Sequence, residues 1–171
     1  MSEIKNKKKK SSIIQISIGV LAVILAILII IMMGIVSDIQ GTARIVNYTG
    51  LVRGETQRLI KLELSTQQEN EMIHEIRTFI DGLRNGNDEL NLVRLDDVDF
   101  QNKMQELDDK FSDLYKKIHL VRFKGAKNTD IIPESEEFFV ICDEATGLAE
   151  KYSQKKATSL SLLEKYITAD I

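Results

Sequence analysis

The sequence predicts an all-α protein, a membrane-anchored antiparallel four-helix bundle whose first helix continues from an N-terminal transmembrane helix. Three observations predict it. Residues 13–36 form an almost unbroken apolar run, interrupted only by Gln15, Ser17, Gly19 and Gly34. Beyond that run apolar residues recur at helical spacing nearly throughout, and no strand-like alternation is sustained. Proline occurs once, at Pro133, so the long periodic segments carry no helix breaker in their interiors.

The apolar run holds 24 residues. At about 1.5 Å per residue it is ~36 Å long, enough to cross a ~30 Å hydrocarbon core with some tilt. A cleaved secretory signal would have an apolar region of only about 7–15 residues, so an uncleaved anchor is the reading carried forward. Lys5 and Lys7 to Lys10 lie just before the run, which keeps the N-terminus in the cytoplasm and places the residues beyond the span outside it. The expected organisation is a basic cytoplasmic tail over 1–12, a transmembrane helix over 13–36 and an extracytoplasmic four-helix bundle over 37–171, in the cell membrane. The first 12 residues carry five Lys and one Glu, so a total charge of −3 leaves −7 for the rest. An acidic exported part argues against nucleic acid as a partner. Cys142 is the sole cysteine, so no internal disulfide forms. It falls in an apolar helical stripe, as a buried inert thiol does.

Helix one emerges from the span and continues through Leu62, with Ile45, Tyr48, Leu51, Val52, Leu59 and Leu62 expected on its core side. Helix two carries Met72, Ile73, Ile76, Phe79, Ile80 and Leu83 and stops at Asn85-Gly86-Asn87. Helix three opens on Asp96, Asp97 and Asp99, which suit a cap and an acidic first turn better than a metal site, since their spacing fits no calcium loop. Its seam runs Phe100, Met104, Leu107, Phe111, Leu114, Ile118 and Val121, spaced 4-3-4-3-4-3 as in a bundle. A loop from Gly125 to Asp130 precedes helix four, which Thr129 or Asp130 would cap, with Pro133 in its first turn. That helix carries Phe138, Ile141, Ala145, Leu148 and Tyr152, then shifts register to Leu160, Leu163 and Ile167. It would bring Ile171 back toward the bilayer.

The chemistry lies on the other face of helix one. Asn47, Gly50, Arg53, Gly54, Gln57, Arg58 and Lys61 gather there at about 100° per residue. Two glycines four apart inside a helix cost roughly 1 kcal/mol each relative to alanine. Close approach of a partner backbone or a ligand is the usual compensation. Beside two arginines and an amide, they suggest a small anion held near a helix–helix contact. Elsewhere no enzyme is legible. His74 and His119 lie on different helices without cysteine or clustered carboxylates, and no phosphate-cradling loop or serine elbow occurs. Glu134, Glu136 and Glu137 read as first-turn charges. No catalytic residue, metal or cofactor is expected.

Asn47, Gly50, Arg53 and Arg58 resemble the N-x-x-G-x-x-R-x-x-x-x-R signature found soon after the first span in nitrate/nitrite sensor kinases. A similar signature occurs in the N-terminal domain of type IV pili methyl-accepting chemotaxis proteins. The resemblance covers about twelve residues, with span, signature and bundle following in the same order. It implies an extracytoplasmic sensory domain of a bacterial transmembrane receptor, of sensor kinase, chemoreceptor or diguanylate-cyclase type. No second span or output domain follows in these residues, so they are expected to be the N-terminal portion of a longer protein, with a truncated, receptor-like form as the alternative. The resemblance also implies that Gly50 and Arg53 contact the anion at a symmetric dimer interface, with Asn47 and Arg58 completing the motif. Tyr48 and Thr49 replace the small apolar pair usual between Asn and Gly, Gly54 replaces a larger apolar residue, and Gln57 an aromatic. These departures widen or repolarise the pocket, and they add Gly54 and Gln57 to the candidate ligand-binding set.

The mechanism this suggests is a homodimer through helix one. Two Arg53 guanidinium groups about 6 Å apart would repel by about 3 kcal/mol at an effective dielectric near 20. A small anionic ligand between them would remove the repulsion and shift helix one along or about its axis. Two alternatives keep the fold. One is a membrane-anchored helical scaffold that docks a partner protein on the arginine face. The other is a chemoreceptor domain that reads an amino acid or a binding protein at the bundle's distal end, around Arg84 to Leu95.

Overall fold

The computed structural model describes residues 2–169, with the side chains of 14–162 and of Lys165 except those of Asp38, Asn128 and Leu160. The expectations placed on Lys5, Lys7 to Lys10, Leu160, Leu163, Ile167 and Ile171 lie outside the described side chains. The chain is all-α, with four helices: α1 (Ser2–Leu64), α2 (Asn70–Asn85), α3 (Val98–Lys124) and α4 (Ile132–Ala169). It divides into two compact units, Met1–Asp38 and Ile39–Ile171.

The first unit is helical, and large apolar side chains from Ile14 to Val36 stand exposed all round it. By length and composition this helix can cross a membrane. In the second unit α2 ends on Gly86 and α3 on Gly125, both at positive φ (85° and 84°), where a side chain would be strained. The Asp97 carboxylate caps α3 by accepting a hydrogen bond from the Phe100 amide at 3.0 Å. α4 begins at Ile132, beyond both residues expected to cap it, and the buried Thr129 hydroxyl finds no hydrogen-bond partner among the described residues.

The helices run alternately up and down. Tyr48 of α1 meets Phe79 of α2 edge-on, with ring centroids 5.1 Å apart. Arg84 near the end of α2 pairs with Asp108 of α3, while Arg77, two turns earlier, lies over the rings of Phe111 and Tyr115. Lys103, Lys110 and Lys117 of α3 pair with Glu144, Glu137 and Glu134 of α4, in descending order along it. At the far end the buried Glu63 carboxylate accepts from both Nε and Nη2 of Arg122, while Arg122 Nη1 donates to Asn70 at 2.7 Å. The same carboxylate accepts from the Glu69 amide, so one ion pair ties α1, α3 and the start of α2. This path overturns one expectation. The segment Arg84 to Leu95 lies beside the start of the unit, where Arg44 donates to the Asn91 carbonyl and Gly41 faces Val93. The end reached after α1 consists instead of the α1–α2 and α3–α4 connections.

The α3 seam is buried at all seven anticipated positions. The α1 seam differs from expectation. Its buried positions are Thr42, Ile45, Thr49, Val52, Thr56, Leu59 and Glu63, spaced 3-4-3-4-3-4, with Ile60 alongside. Every second position is polar. Leu51, expected inside, is 37% exposed, because the buried stripe centres on the threonines and carries Leu51 outward.

Candidate functional site

The signature residues occupy the side of α1 turned from that seam. The backbone there is regular helix, so spacing alone sets direction. Asn47, Gly54, Arg58 and Lys61 are exposed, Gly50 is half-buried, and Arg53 and Gln57 are half-buried where α1 borders α4.

Arg53 is the centre of the arrangement. Its Nη1 donates to Oδ1 of Asp143 at 2.5 Å, and its guanidinium carbon stands 5.1 Å from the centroid of the Phe139 ring. One helical turn along, Gln57 Nε2 donates to the Ser135 hydroxyl at 3.1 Å and more weakly to the Ser135 carbonyl at 3.4 Å. Ser135, Phe139 and Asp143 are four residues apart on α4 and so form one stripe facing Arg53 and Gln57. Arg58 points elsewhere, its Nη1 3.5 Å from Glu55 on the same helix. The structure thus groups Arg53 with Gln57 against α4 and leaves Asn47, Gly54 and Arg58 on the outer side, with Gly50 between the two sets.

The glycines are open. A Cβ built on Gly50 or Gly54 meets no atom within 4 Å, and the same holds at Gly147 of α4. Among the described residues no packing contact therefore requires glycine at 50 or 54.

The pairing of Arg53 also corrects the electrostatic argument. A bare guanidinium would repel its symmetry mate, but Arg53 already sits against the Asp143 carboxylate. The pair is close to neutral, so charge repulsion is not what would hold two α1 helices apart in the free state. Asp143, Phe139 and Ser135 were missed by sequence reasoning. Their signal was the i, i+4, i+8 stripe beside the Ile141–Cys142 core positions, but it acquires meaning only once α4 is known to run antiparallel to α1.

Other chemistry does not compete. Cys142 is buried, and that burial pushes its thiol up to about 12, so it stays protonated and unreactive. A separate groove of ≈ 390 Å³ lies between α3 and α4, but its lysines are already paired: Lys110 with Glu137, Lys116 with Asp113, and Lys117 with Glu134. Among the described residues no three His, Cys, Asp or Glu side chains converge as a metal site would need.

No protein-family model matches this chain, and no curated protein matches it. Among solved structures, the ligand-binding domain of the P. aeruginosa nitrate receptor McpN is similar to it. The TM-score is 0.54 at 14% identity, over 64% of this chain and 96% of that domain. At that identity the likeness is one of fold.

Proposed function

We propose that this chain carries the extracytoplasmic anion-sensing domain of a bacterial transmembrane receptor. In this reading residues 1–12 are a cytoplasmic tail, 13–36 the membrane span and 37–171 the sensory domain. The observation that carries the proposal is the pair of open helix-interior glycines, Gly50 and Gly54, flanking a half-buried arginine. Each is intrinsically costly in a helix, and neither is needed by an intrachain neighbour. What they accommodate lies outside the chain, and a second copy of α1 crossing at that face is the simplest occupant.

An isologous contact there brings Gly50, Arg53 and Gly54 of both copies to one axis. A planar monovalent anion on that axis accepts hydrogen bonds from two guanidinium groups at once. Ligand binding then favours the state in which the two α1 helices are drawn together, and only such a difference lets a ligand shift an equilibrium. Coupling of about 1–3 kcal/mol suffices for signalling. The fold shared with the nitrate receptor's ligand-binding domain supports this assignment, and it makes nitrate the first probe.

The test uses the whole chain in lipid nanodiscs holding two copies, titrated with sodium nitrate, nitrite and small carboxylates, with chloride matching ionic strength. The wild type is expected to bind one anion per dimer, and Arg53→Ala to lose at least tenfold in affinity. A folded wild type that binds none of these anions would transfer the arginine face to a protein-docking role.

A further inference from the structure

We infer that Asp143 is a built-in competitor for the anion site and sets which anions can occupy it; this rests on the anion-binding reading of Arg53. Three observations on α4 meet at one guanidinium. Asp143 accepts from Arg53 Nη1 at 2.5 Å, the Phe139 ring lies 5.1 Å beneath it, and the Asp143 side chain is 63% exposed, so it is free to swing away.

A carboxylate and a nitrate ion are close relatives to an arginine. Both are planar, carry one negative charge and present two oxygens at a spacing the guanidinium fork accepts. Asp143 therefore occupies one of the guanidinium's donors, Nη1, and places its charge where an incoming anion would place its own. It is held there by the fold, so its effective concentration at Arg53 far exceeds that of a dilute solute. At a single chain a monovalent anion exchanges one such contact for another and gains little. At the two-fold axis a single anion bonds both arginines, so one ligand makes two charge-assisted contacts where a single chain offers one, and occupancy is favoured in the dimer. A spherical anion that cannot satisfy two forks is rejected. The same exchange breaks a tie between α1 and α4 and makes one between α1 and its mate, which links ligand binding to movement of α1 against its own bundle.

The alternative is an ordinary exposed ion pair, contributing little to anything. The two differ in a titration of the full chain in nanodiscs with sodium nitrate and, separately, sodium chloride. Asp143→Asn keeps the shape and removes the charge, and Asp143→Ala repeats the test without an amide. Both are expected to bind nitrate about three- to tenfold more tightly than wild type, since two weak exposed pairs per dimer are released, and to gain measurable chloride binding. Asp143→Glu is expected to restore the wild-type preference. Unchanged or weaker nitrate binding in both variants, with wild type binding normally, would overturn the role of Asp143 and leave the anion site standing. Absence of nitrate binding in wild type and variants alike would overturn both.

Discussion

Gly50 and Gly54 are costly residues with no beneficiary among the described residues. An added methyl at either meets nothing within 4 Å. Gly50→Ala and Gly54→Ala are therefore expected to raise the thermal stability of the isolated chain, each by about 1 kcal/mol, from helix propensity alone. The same substitutions should weaken nitrate binding, because the methyl projects into the space where a second α1 approaches. A melt in dilute detergent and a titration in nanodiscs separate the two effects. Stability and affinity rising together would leave the glycines without the role assigned here. These residues were legible in the sequence because a helix maps spacing directly onto direction. Asp143 and Phe139 were not. They lie some ninety positions away, and only the antiparallel return of α4 puts them beside Arg53.

The four helices were legible to different depths for one physical reason. α3 carries an apolar residue at every seam position, so periodicity reveals its buried face outright. α1 places Thr42, Thr49, Thr56 and Glu63 at alternate seam positions, and a search for apolar periodicity then misplaces the face and pulls Leu51 inward. Threonine tolerates such burial when its hydroxyl returns to the carbonyl four residues back, as Thr49 does to Ile45 at 2.8 Å. The Thr56 hydroxyl is buried without any partner among the described residues. Thr56→Val replaces that hydroxyl with a methyl and is expected to stabilise the chain by about 1 kcal/mol. Thr49→Val, which removes a satisfied hydroxyl, should gain less. Chemical denaturation of both variants beside wild type checks the order, and the reverse order would mean that the Thr56 hydroxyl is hydrogen-bonded. A polar seam also leaves α1 held by fewer apolar contacts than α3, as befits the helix proposed to move.

Across the molecule, the fold class and helix order were readable because the middle helices are bounded by local signals: Asn85-Gly86 after α2, Asp97 before α3, and Gly125 after α3. The path between helices was less readable. The loop from Arg84 to Leu95, taken from sequence as the distal end, lies against Gly41 and Arg44, because an antiparallel chain returns there after one helix up and one down. In the proposed dimer the open face of α1 is the two-fold contact, with Arg53 near its axis. That contact is tested most directly by disulfide crosslinking of Gly50→Cys in native membranes. The buried native thiol of Cys142 stays silent, while Ala43→Cys serves as a second probe of the same face and His74→Cys, exposed on α2, as the control. Dimer bands at 50 and 43 are expected to exceed those at 74 and to change with added nitrate. Persistent monomer at 50 and 43, or crosslinking no greater than at 74, would contradict it.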